Sequence, residues 1–254
     1  MSPWQAPSRT PALSAEVIHV WQANVVTLAP CERYFESLLD ADERTRGSRF
    51  HAAADRLRHV VSRGALRFLA ASYLDVDART LRFELGPFGK PCVASLASPG
   101  LSFNVSHSGD VVLLAFARDG DVGIDVEHWS ARLDDIARAR LAQSVFSAEE
   151  REVLHMLPLA EREGAFYTIW SRKEAYLKGT GAGISAGLAH FDVSADDDAR
   201  LIADRSWPAN VGRWRLHDID VGVGYSAALA ATPPDKRLEL WVADPFLFID
   251  EVRE

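Results

Sequence analysis

The amino-acid sequence predicts an α+β fold of two pseudo-symmetric halves, each with helices and a small, mainly antiparallel sheet. Helix-like stretches precede strand-like stretches in the first half of the chain, and the same order recurs after about Asp119. With 254 residues, 48% of them hydrophobic and 25% charged, the chain can bury the core of one large domain or of two small ones. No residue-level repeat establishes a duplication. The predicted segments are residues 1–118, 119–232 and a C-terminal tail, 233–254, with the ligand cleft at the seam of the two halves.

The elements of the first half follow from hydrophobic periodicity and turn residues. Alternating apolar residues predict strands, arginine- and alanine-rich stretches with helical spacing predict helices, and Gly86 to Pro91 is a turn dense in glycine and proline. Its glycines would let the backbone approach a ligand closely. The predicted elements are a strand at 16–28, helical segments at 40–74, a short strand at 81–85, and strands at 101–106 and 111–117.

In the second half, Asp119-Gly120 turns the chain into a strand that ends at Glu127 and completes an antiparallel meander. Residues 195–205 are polar and rich in aspartate, which predicts a surface loop or a poorly packed connection. The tail begins with Pro233-Pro234 and becomes apolar at 238–242 and 246–249, so we expect it to pack back on the body or to cover a partner surface. The other predicted elements are helices at 136–157 and 161–178 and strands at 214–216 and 224–231.

Composition narrows the class of protein. The net charge of −8 argues against a general nucleic-acid-binding protein, since such proteins usually have a basic footprint. Residues 1–10 contain no apolar run of signal-peptide length, and no later run is long enough to span a bilayer, so we expect a cytoplasmic protein without membrane contacts. Cys31 and Cys92 are too few for a disulfide framework or a thiolate zinc site.

Positive charge is nevertheless concentrated locally. The stretch from 44 to 67 could hold one small anionic ligand, although a solvated helix face with scattered ion pairs is the favoured explanation for most of its arginines. Lysine is rare, and three of the four lysines, Lys90, Lys173 and Lys178, fall in segments that are notable on other grounds. The basic residues of the stretch are Arg44, Arg46, Arg49, His51, Arg56, Arg58, His59, Arg63 and Arg67.

Two short segments carry the chemistry. On a helix, Trp170, Glu174 and Lys178 lie four residues apart along one face. On a strand, Asp125 and Glu127 point to the same side and offer two further carboxylates. Magnesium prefers oxygen ligands and is usually held by a few carboxylates together with substrate phosphates and water, so the pattern predicts a magnesium and phosphate site. The alternative is an exposed strand face and an ordinary Glu174–Lys178 helix ion pair.

The co-occurrence of these segments with Asn104 to Ser108 (Asn-Val-Ser-His-Ser) and Gly89-Lys90-Pro91 resembles the 4'-phosphopantetheinyl transferase superfamily, in particular its larger, two-half, Sfp-like type. The match covers residues 40–187, and its most specific parts are Gly123 to Glu127 and Trp170 to Lys178. The resemblance implies Mg²⁺-dependent transfer of the phosphopantetheine arm of coenzyme A to a serine hydroxyl of an apo acyl or peptidyl carrier protein, with release of adenosine 3',5'-bisphosphate. It also implies a pseudo-symmetric fold with the active site between the halves.

Transferred to this chain, the resemblance makes Asp125, Glu127 and Glu174 the metal ligands, with Glu174 also helping to remove the serine proton. Lys178 meets the pyrophosphate, and Gly89, Lys90, Ser106 and His107 bind coenzyme A, so that Glu174, Lys178 and His107 form the catalytic group. Arg46 is placed near the 3'-phosphate of the nucleotide. Glu43 stands where some relatives have a basic residue, so Arg58 or His59 could take over that contact.

Other functions remain open at this point. Gly183 to Gly187 fits the Gly-x-Ser-x-Gly pattern of a hydrolase with Ser185 as nucleophile, but that motif needs a strand before it, and here a helix precedes. Adjacent strand residues point to opposite faces, so a direct Ser106–His107 relay is not expected. A non-catalytic carrier-protein or nucleotide-binding homologue is the second alternative. We expect a monomer with no catalytic serine or cysteine of its own, and the sequence does not identify the carrier protein or its pathway.

Overall fold

A computed structural model of the chain describes residues 4–86, 89–94, 100–129, 134–183 and 187–249. It confirms the predicted α+β class with small, mainly antiparallel sheets. The strands are β1 Val17–Asn24, β2 Phe83–Leu85, β3 Pro91–Val93, β4 Leu101–Ser108, β5 Val111–Arg118, β6 Asp121–His128, β7 Phe191–Val193, β8 Leu201–Asp204, β9 Arg215–Asp218, β10 Tyr225–Thr232 and β11 Arg237–Ala243. The α-helices are α1 Glu32–Leu38, α2 Ala41–Ser48, α3 Ala53–Leu74, α4 Asp135–Val145, α5 Ala148–Met156, α6 Leu159–Thr180 and α7 Phe246–Ile249.

The first sheet has the strand order β11-β1-β5-β4, and only the β11–β1 pair is parallel. Helices α1 and α3 pack against this sheet around buried Trp21, Phe35 and Leu66. The tail closes the same core, because Phe248 of α7 packs edge-on against Phe35 and Phe68 with ring centroids 4.8 Å apart. The tail therefore packs back on the body as expected, while the division at residues 118 and 232 stays a prediction.

The helical stretch predicted at 40–74 is two helices, α2 and α3. Asp40 begins α2 with a capping box in which its side chain accepts from the Glu43 amide and the Glu43 side chain accepts from the Asp40 amide. The completely buried Arg67 of α3 then joins the two helices through ion pairs to Asp40 and Glu43. Most of the buried residues of α3 are apolar or small, which explains the strong helical periodicity of its sequence.

The second sheet has the order β6-β10-β9 and is covered by α6. Gly123 allows the two to approach closely, because a Cβ at this position would lie 2.1 Å from the Ala175 carbonyl oxygen and from the Gly179 amide nitrogen. The opposite face of β6 packs against the first sheet through a buried cluster that includes Ile18, Leu113 and Ile124. Strands β4 and β6, the edge strands of their sheets, meet where the sheets join.

Two sequence predictions in the second half need correction. The helix predicted at 136–157 is α4 and α5, because the backbone is extended at Phe146 and Ser147, and Ser147 begins α5 with a capping box to Glu150. The loop predicted at 195–205 contains β8, which pairs with β7 and buries Leu201. The buried guanidinium of Arg172 holds the chain between these strands by donating to the carbonyl oxygens of Ser194 and Asp196. Within the described residues, no helix is both long and apolar enough to cross a bilayer.

Candidate active site

Strand β6 and helix α6 bring the predicted acidic and basic side chains together. Asp125 and Glu127 lie on the face of β6 that packs against α6, with Trp170, Glu174 and Lys178 on the helix opposite. The Trp170 indole N–H donates to Glu127 Oε1 at 2.9 Å, and Lys178 Nζ donates to Asp125 Oδ1 at 2.5 Å. Close packing at Gly123 sets this separation between strand and helix.

Asp125 is the most enclosed of the carboxylates, at 2% exposed. Its Oδ1 accepts from the Ser106 hydroxyl at 3.0 Å as well as from Lys178. Its Oδ2 is buried and, among the described residues, has no hydrogen-bond partner. Since an unpaired buried carboxylate oxygen is costly, this atom is the clearest sign that the site is built for a further cationic or donor group.

The two carboxylates nearest to Asp125, those of Glu127 and Glu174, are harder to ionise than usual, because both have raised pKa values. Desolvation, followed by repulsion from Asp125, raises the pKa of Glu127 from its ordinary value of 4.5 to about 7. Desolvation and the Asp125 charge also raise the pKa of Glu174. The Asp125 charge thus opposes ionisation of both glutamates, and a cation placed among the three groups would relieve that repulsion.

Strand β4 supplies the phosphate-binding candidates. Ser106 lies in the seam, where its hydroxyl is 3.1 Å from Lys178 Nζ, and His107 is exposed on the other side of the strand. Partial desolvation and repulsion from Arg58 lower the pKa of His107. Ser106 and His107 therefore point apart, as strand alternation predicts, and do not form a relay.

Lys90 joins the site from the segment that leads into β3. Its Nζ donates to the Gly179 carbonyl oxygen at 2.8 Å, and desolvation lowers its pKa. Gly89 precedes it with a φ of +85°, a conformation suited to glycine, and a Cβ there would meet no atom within 4 Å. A cavity of about 260 Å³ opens here, lined by Gly89, Lys90, Pro91, Asn104, Val105, Glu174, Leu177, Lys178, Gly181 and Gly183.

Arg46 lies outside this cavity, in a separate basic cleft of about 410 Å³ between α2 and α3. The exposed Arg46 shares the cleft with Arg49, Phe50, His59 and Arg63. Arg58 is not among the lining residues and instead donates to the Gly109 carbonyl oxygen at 2.8 Å.

Glu43, which stands where a basic residue was expected, has a structural explanation. Its carboxylate accepts from Arg63 Nε at 2.7 Å and from Arg67 Nε at 2.5 Å, and its backbone carbonyl oxygen lies 2.9 Å from His59 Nε2. Glu43 itself lines the cleft, and these contacts link the basic side chains of α3 to α2. The capping-box spacing from Asp40 to Glu43 was the sequence signal that could have revealed this role.

The donor set fits a hard cation such as Mg²⁺. Among the described residues Asp125 Oδ2 has no hydrogen-bond partner. Burial and the Asp125 charge raise the pKa of Glu127 and Glu174, so a cation here would favour the ionised form of both groups. The geometry is not that of a finished metal centre: in the described part of the chain no three His, Cys, Asp or Glu side chains are arranged to hold an ion. Lys178 occupies Asp125 Oδ1 instead.

Asn104 and Ser108 have a structural role that was not predicted from the sequence. Both side chains bond to backbone amides of β6, and Asn104 also lines the small cavity. Polar residues at alternate positions 104, 106 and 108, on the side of β4 opposite Phe103 and Val105, were the available signal. Ser185, the nucleophile of the hydrolase alternative, lies outside the described residues.

Comparison with protein families identifies both parts of the chain. Residues 121–231 match the model of the 4'-phosphopantetheinyl transferase superfamily, and residues 28–118 match that of the N-terminal part of 4'-phosphopantetheinyl transferases. The two matches lie on either side of the turn between β5 and β6.

The chain is also similar to curated 4'-phosphopantetheinyl transferases over most of the length of each relative. The chain is 36% identical to a putative 4'-phosphopantetheinyl transferase of Synechocystis sp. over 182 residues, which are 72% of each chain. It is 33% identical to the 4'-phosphopantetheinyl transferase HetI of Nostoc sp., covering 77% of this chain and 82% of the relative. It is 29% identical to the 4'-phosphopantetheinyl transferase Sfp of Bacillus subtilis, with 79% and 85% covered.

Proposed function

The chain belongs to the 4'-phosphopantetheinyl transferase superfamily and is an enzyme of that class, and we propose that it transfers the phosphopantetheine arm of coenzyme A to a serine hydroxyl of an apo acyl or peptidyl carrier protein. The observation that carries the proposal is the meeting of Asp125, Glu127 and Glu174 with Lys178 and Ser106 at the seam of the two sheets. The second product is adenosine 3',5'-bisphosphate.

Asp125, Glu127 and Glu174 would hold Mg²⁺. When bound, the ion would neutralise charge on the pyrophosphate and so make its phosphorus accessible to a nucleophile. Asp125 Oδ2, which has no hydrogen-bond partner in the described part of the chain, and the raised pKa values of the two glutamates support this assignment. Coenzyme A is the proposed substrate, and its phosphate oxygens would be further ligands of the Mg²⁺.

Side chains of this protein would accept the serine proton and stabilise the leaving phosphate. Glu174 lines the small cavity, where its carboxylate can accept the serine proton. Lys178 and His107 stabilise the negative charge that grows on the leaving phosphate. The nucleophile comes from the carrier protein, so neither a serine nor a cysteine of this chain takes part in covalent catalysis.

Lys90, Gly89 and Ser106 complete the binding site for coenzyme A. Lys90 reaches the cavity from the first half of the chain, while the open backbone at Gly89 leaves room for the ligand. At the nucleotide end we assign the 3'-phosphate to the basic cleft of Arg46, where His59 is also present. Arg58 is less suited, because its Nε is already bonded to the Gly109 carbonyl oxygen.

We further propose that the enzyme is a cytoplasmic monomer. Two sheets within one chain already form the seam, so no second copy is needed to build the site. Carrier-protein docking should depend on local contacts, since the net charge of −8 gives no long-range attraction for an acidic partner.

The test is the intact mass of an apo carrier protein incubated with the enzyme, coenzyme A and Mg²⁺. We expect a gain of one phosphopantetheine group, which disappears with chelator and with Glu174→Gln. Glu161→Gln is the matched control, because Glu161 is an exposed residue of the same helix. Absence of the mass gain with both acyl and peptidyl carrier proteins, while coenzyme A still binds, would refute transfer and favour a binding protein.

A further inference from the structure

Beside the candidate active site, strands β4 and β6 are joined by hydrogen bonds from backbone amides to side chains. Strands β4 and β6 belong to different sheets, yet three polar side chains of β4 accept hydrogen bonds from backbone amides of β6. Each donor lies 20 residues after its acceptor, which fixes one parallel register between the strands. The bonds run from the Ile124 amide to Asn104 Oδ1 at 2.9 Å, from the Val126 amide to Ser106 Oγ at 3.3 Å, and from the His128 amide to Ser108 Oγ at 3.0 Å.

These three amides flank the acidic residues. Asp125 lies between the first and second, and Glu127 lies between the second and third. The two carboxylates therefore sit on a stretch of backbone that β4 holds at three successive points. The same strand β4 carries Ser106 and His107, the phosphate-binding candidates.

We infer that Asn104 and Ser108 are positioning residues, which fix the distance between the phosphate-binding side chains of β4 and the carboxylates of β6. This inference rests on the proposed function. Ser106 makes the middle bond of the series but also contacts Asp125 and Lys178, so it belongs to the site itself. Asn104 and Ser108 accept the first and the last of the three hydrogen bonds.

Positioning at this seam should affect the rate of the chemical step. Misplacement of catalytic groups by about 1 Å can cost on the order of 100-fold in rate, even when substrate still binds. The binding groups Lys90 and Gly89 lie outside the series, so affinity for coenzyme A should change much less than kcat.

The two ends of the seam differ in burial. Ile124 is completely buried and Asn104 is 6% exposed, so Asn104→Ala leaves a buried amide without an acceptor. His128 is exposed, and water can replace Ser108 as the acceptor, which should leave the fold of Ser108→Ala intact. Because Asn104 also lines the cavity beside Lys178, Ser108 gives the cleaner test.

The kinetic experiment measures kcat and KM for coenzyme A with an apo carrier protein. We expect Ser108→Ala to lower kcat by about tenfold with KM changed by less than about threefold, and Ser108→Thr, which keeps the hydroxyl, to restore most of kcat. Ser102→Ala is the matched control. Ser102 lies on the same side of β4, two residues before the series, and accepts from no β6 amide in the described residues.

Amide hydrogen exchange provides a readout that does not need transfer activity. The His128 amide should exchange faster in Ser108→Ala, and the Ile124 amide faster in Asn104→Ala, whereas neither should change in Ser102→Ala. This measurement reports whether the bonds themselves hold the seam.

The outcomes separate the two proposals. If the wild-type enzyme transfers phosphopantetheine and Ser108→Ala has the same kcat despite faster exchange, the seam is structural only and the positioning role is refuted. If the His128 amide in Ser108→Ala and the Ile124 amide in Asn104→Ala exchange as in wild type, the side chains of β4 do not protect the amides of β6, and the positioning role is refuted. A wild-type protein that transfers nothing would overturn the proposed function, whatever the exchange measurements give.

Discussion

Glu127→Gln should stabilise the metal-free protein at alkaline pH while abolishing transfer. In the folded protein the pKa of Glu127 is raised from 4.5 to about 7, mainly by desolvation and by the Asp125 charge. Between these values the folded protein keeps a proton that the unfolded chain has released. The stabilisation from this proton is fully present below pH 4.5 and is lost as the pH rises through 7.

The magnitude follows from the linkage relation. For a pKa that moves from 4.5 to about 7, the free energy of unfolding falls by about 2.5 kcal/mol between pH 5 and pH 8. Glutamine carries no charge, and its carbonyl oxygen can still accept from the Trp170 indole N–H. Glu127→Gln should therefore gain up to about 2.5 kcal/mol over wild type on going from pH 5 to pH 8.

Urea unfolding with chelator present, at pH 5 and pH 8, measures this difference. Glu161→Gln provides the control, since Glu161 is exposed and should give the same difference from wild type at both pH values. A Glu127→Gln variant that differs from wild type by the same amount at both pH values, or that becomes relatively less stable at pH 8, would contradict this prediction. Either result would mean that the folded protein does not oppose ionisation of Glu127.

Two further substitutions test how the site is supported. Gly123→Ala should lower the free energy of unfolding by at least about 2 kcal/mol and lower kcat, because its methyl group would overlap the α6 backbone at Ala175 and Gly179; urea unfolding and carrier-protein mass measurements check this, and wild-type values for both would contradict it. Glu43→Gln should cost about 3 kcal/mol, because it leaves the buried charge of Arg67 partly uncompensated. An unchanged urea midpoint for Glu43→Gln would show that Asp40 alone suffices.

The parts of the fold that the sequence predicted are those with strong local periodicity. The hairpin of β4 and β5 and the helix α6 follow from alternation and helical spacing, and the resemblance placed the site on the same segments. Helical segments were predicted over 40–74, but the position of the break at residues 49–52 was not, since arginine and alanine continue through it. Strand β8 was missed because its apolar residues are outnumbered by neighbouring aspartates, and its stability depends on the distant Arg172.

The candidate site was predictable as a set of residues but not as an arrangement. Helical spacing gave the stripe of Trp170, Glu174 and Lys178, and strand spacing gave Asp125 with Glu127. Sequence spacing could not show that Lys178 would pair with Asp125 or that Trp170 would donate to Glu127, because these contacts depend on the distance between β6 and α6. That distance is set by Gly123, whose missing side chain lets the two backbones approach, and no spacing in the sequence indicates this contact.

The charge balance of the site explains how Lys178 could pair with Asp125 in the metal-free protein and with the pyrophosphate of coenzyme A when metal is bound. Within the cluster, one lysine faces three carboxylates, so two negative charges lack a counter-charge when all three are ionised. In the metal-free protein, where Lys178 pairs with Asp125, desolvation and then repulsion from Asp125 raise the pKa of both glutamates. A divalent cation at the carboxylates would let both glutamates ionise and would weaken the hold of Asp125 on Lys178. The lysine would then be free to contact the pyrophosphate, so metal and coenzyme A should each increase the affinity for the other.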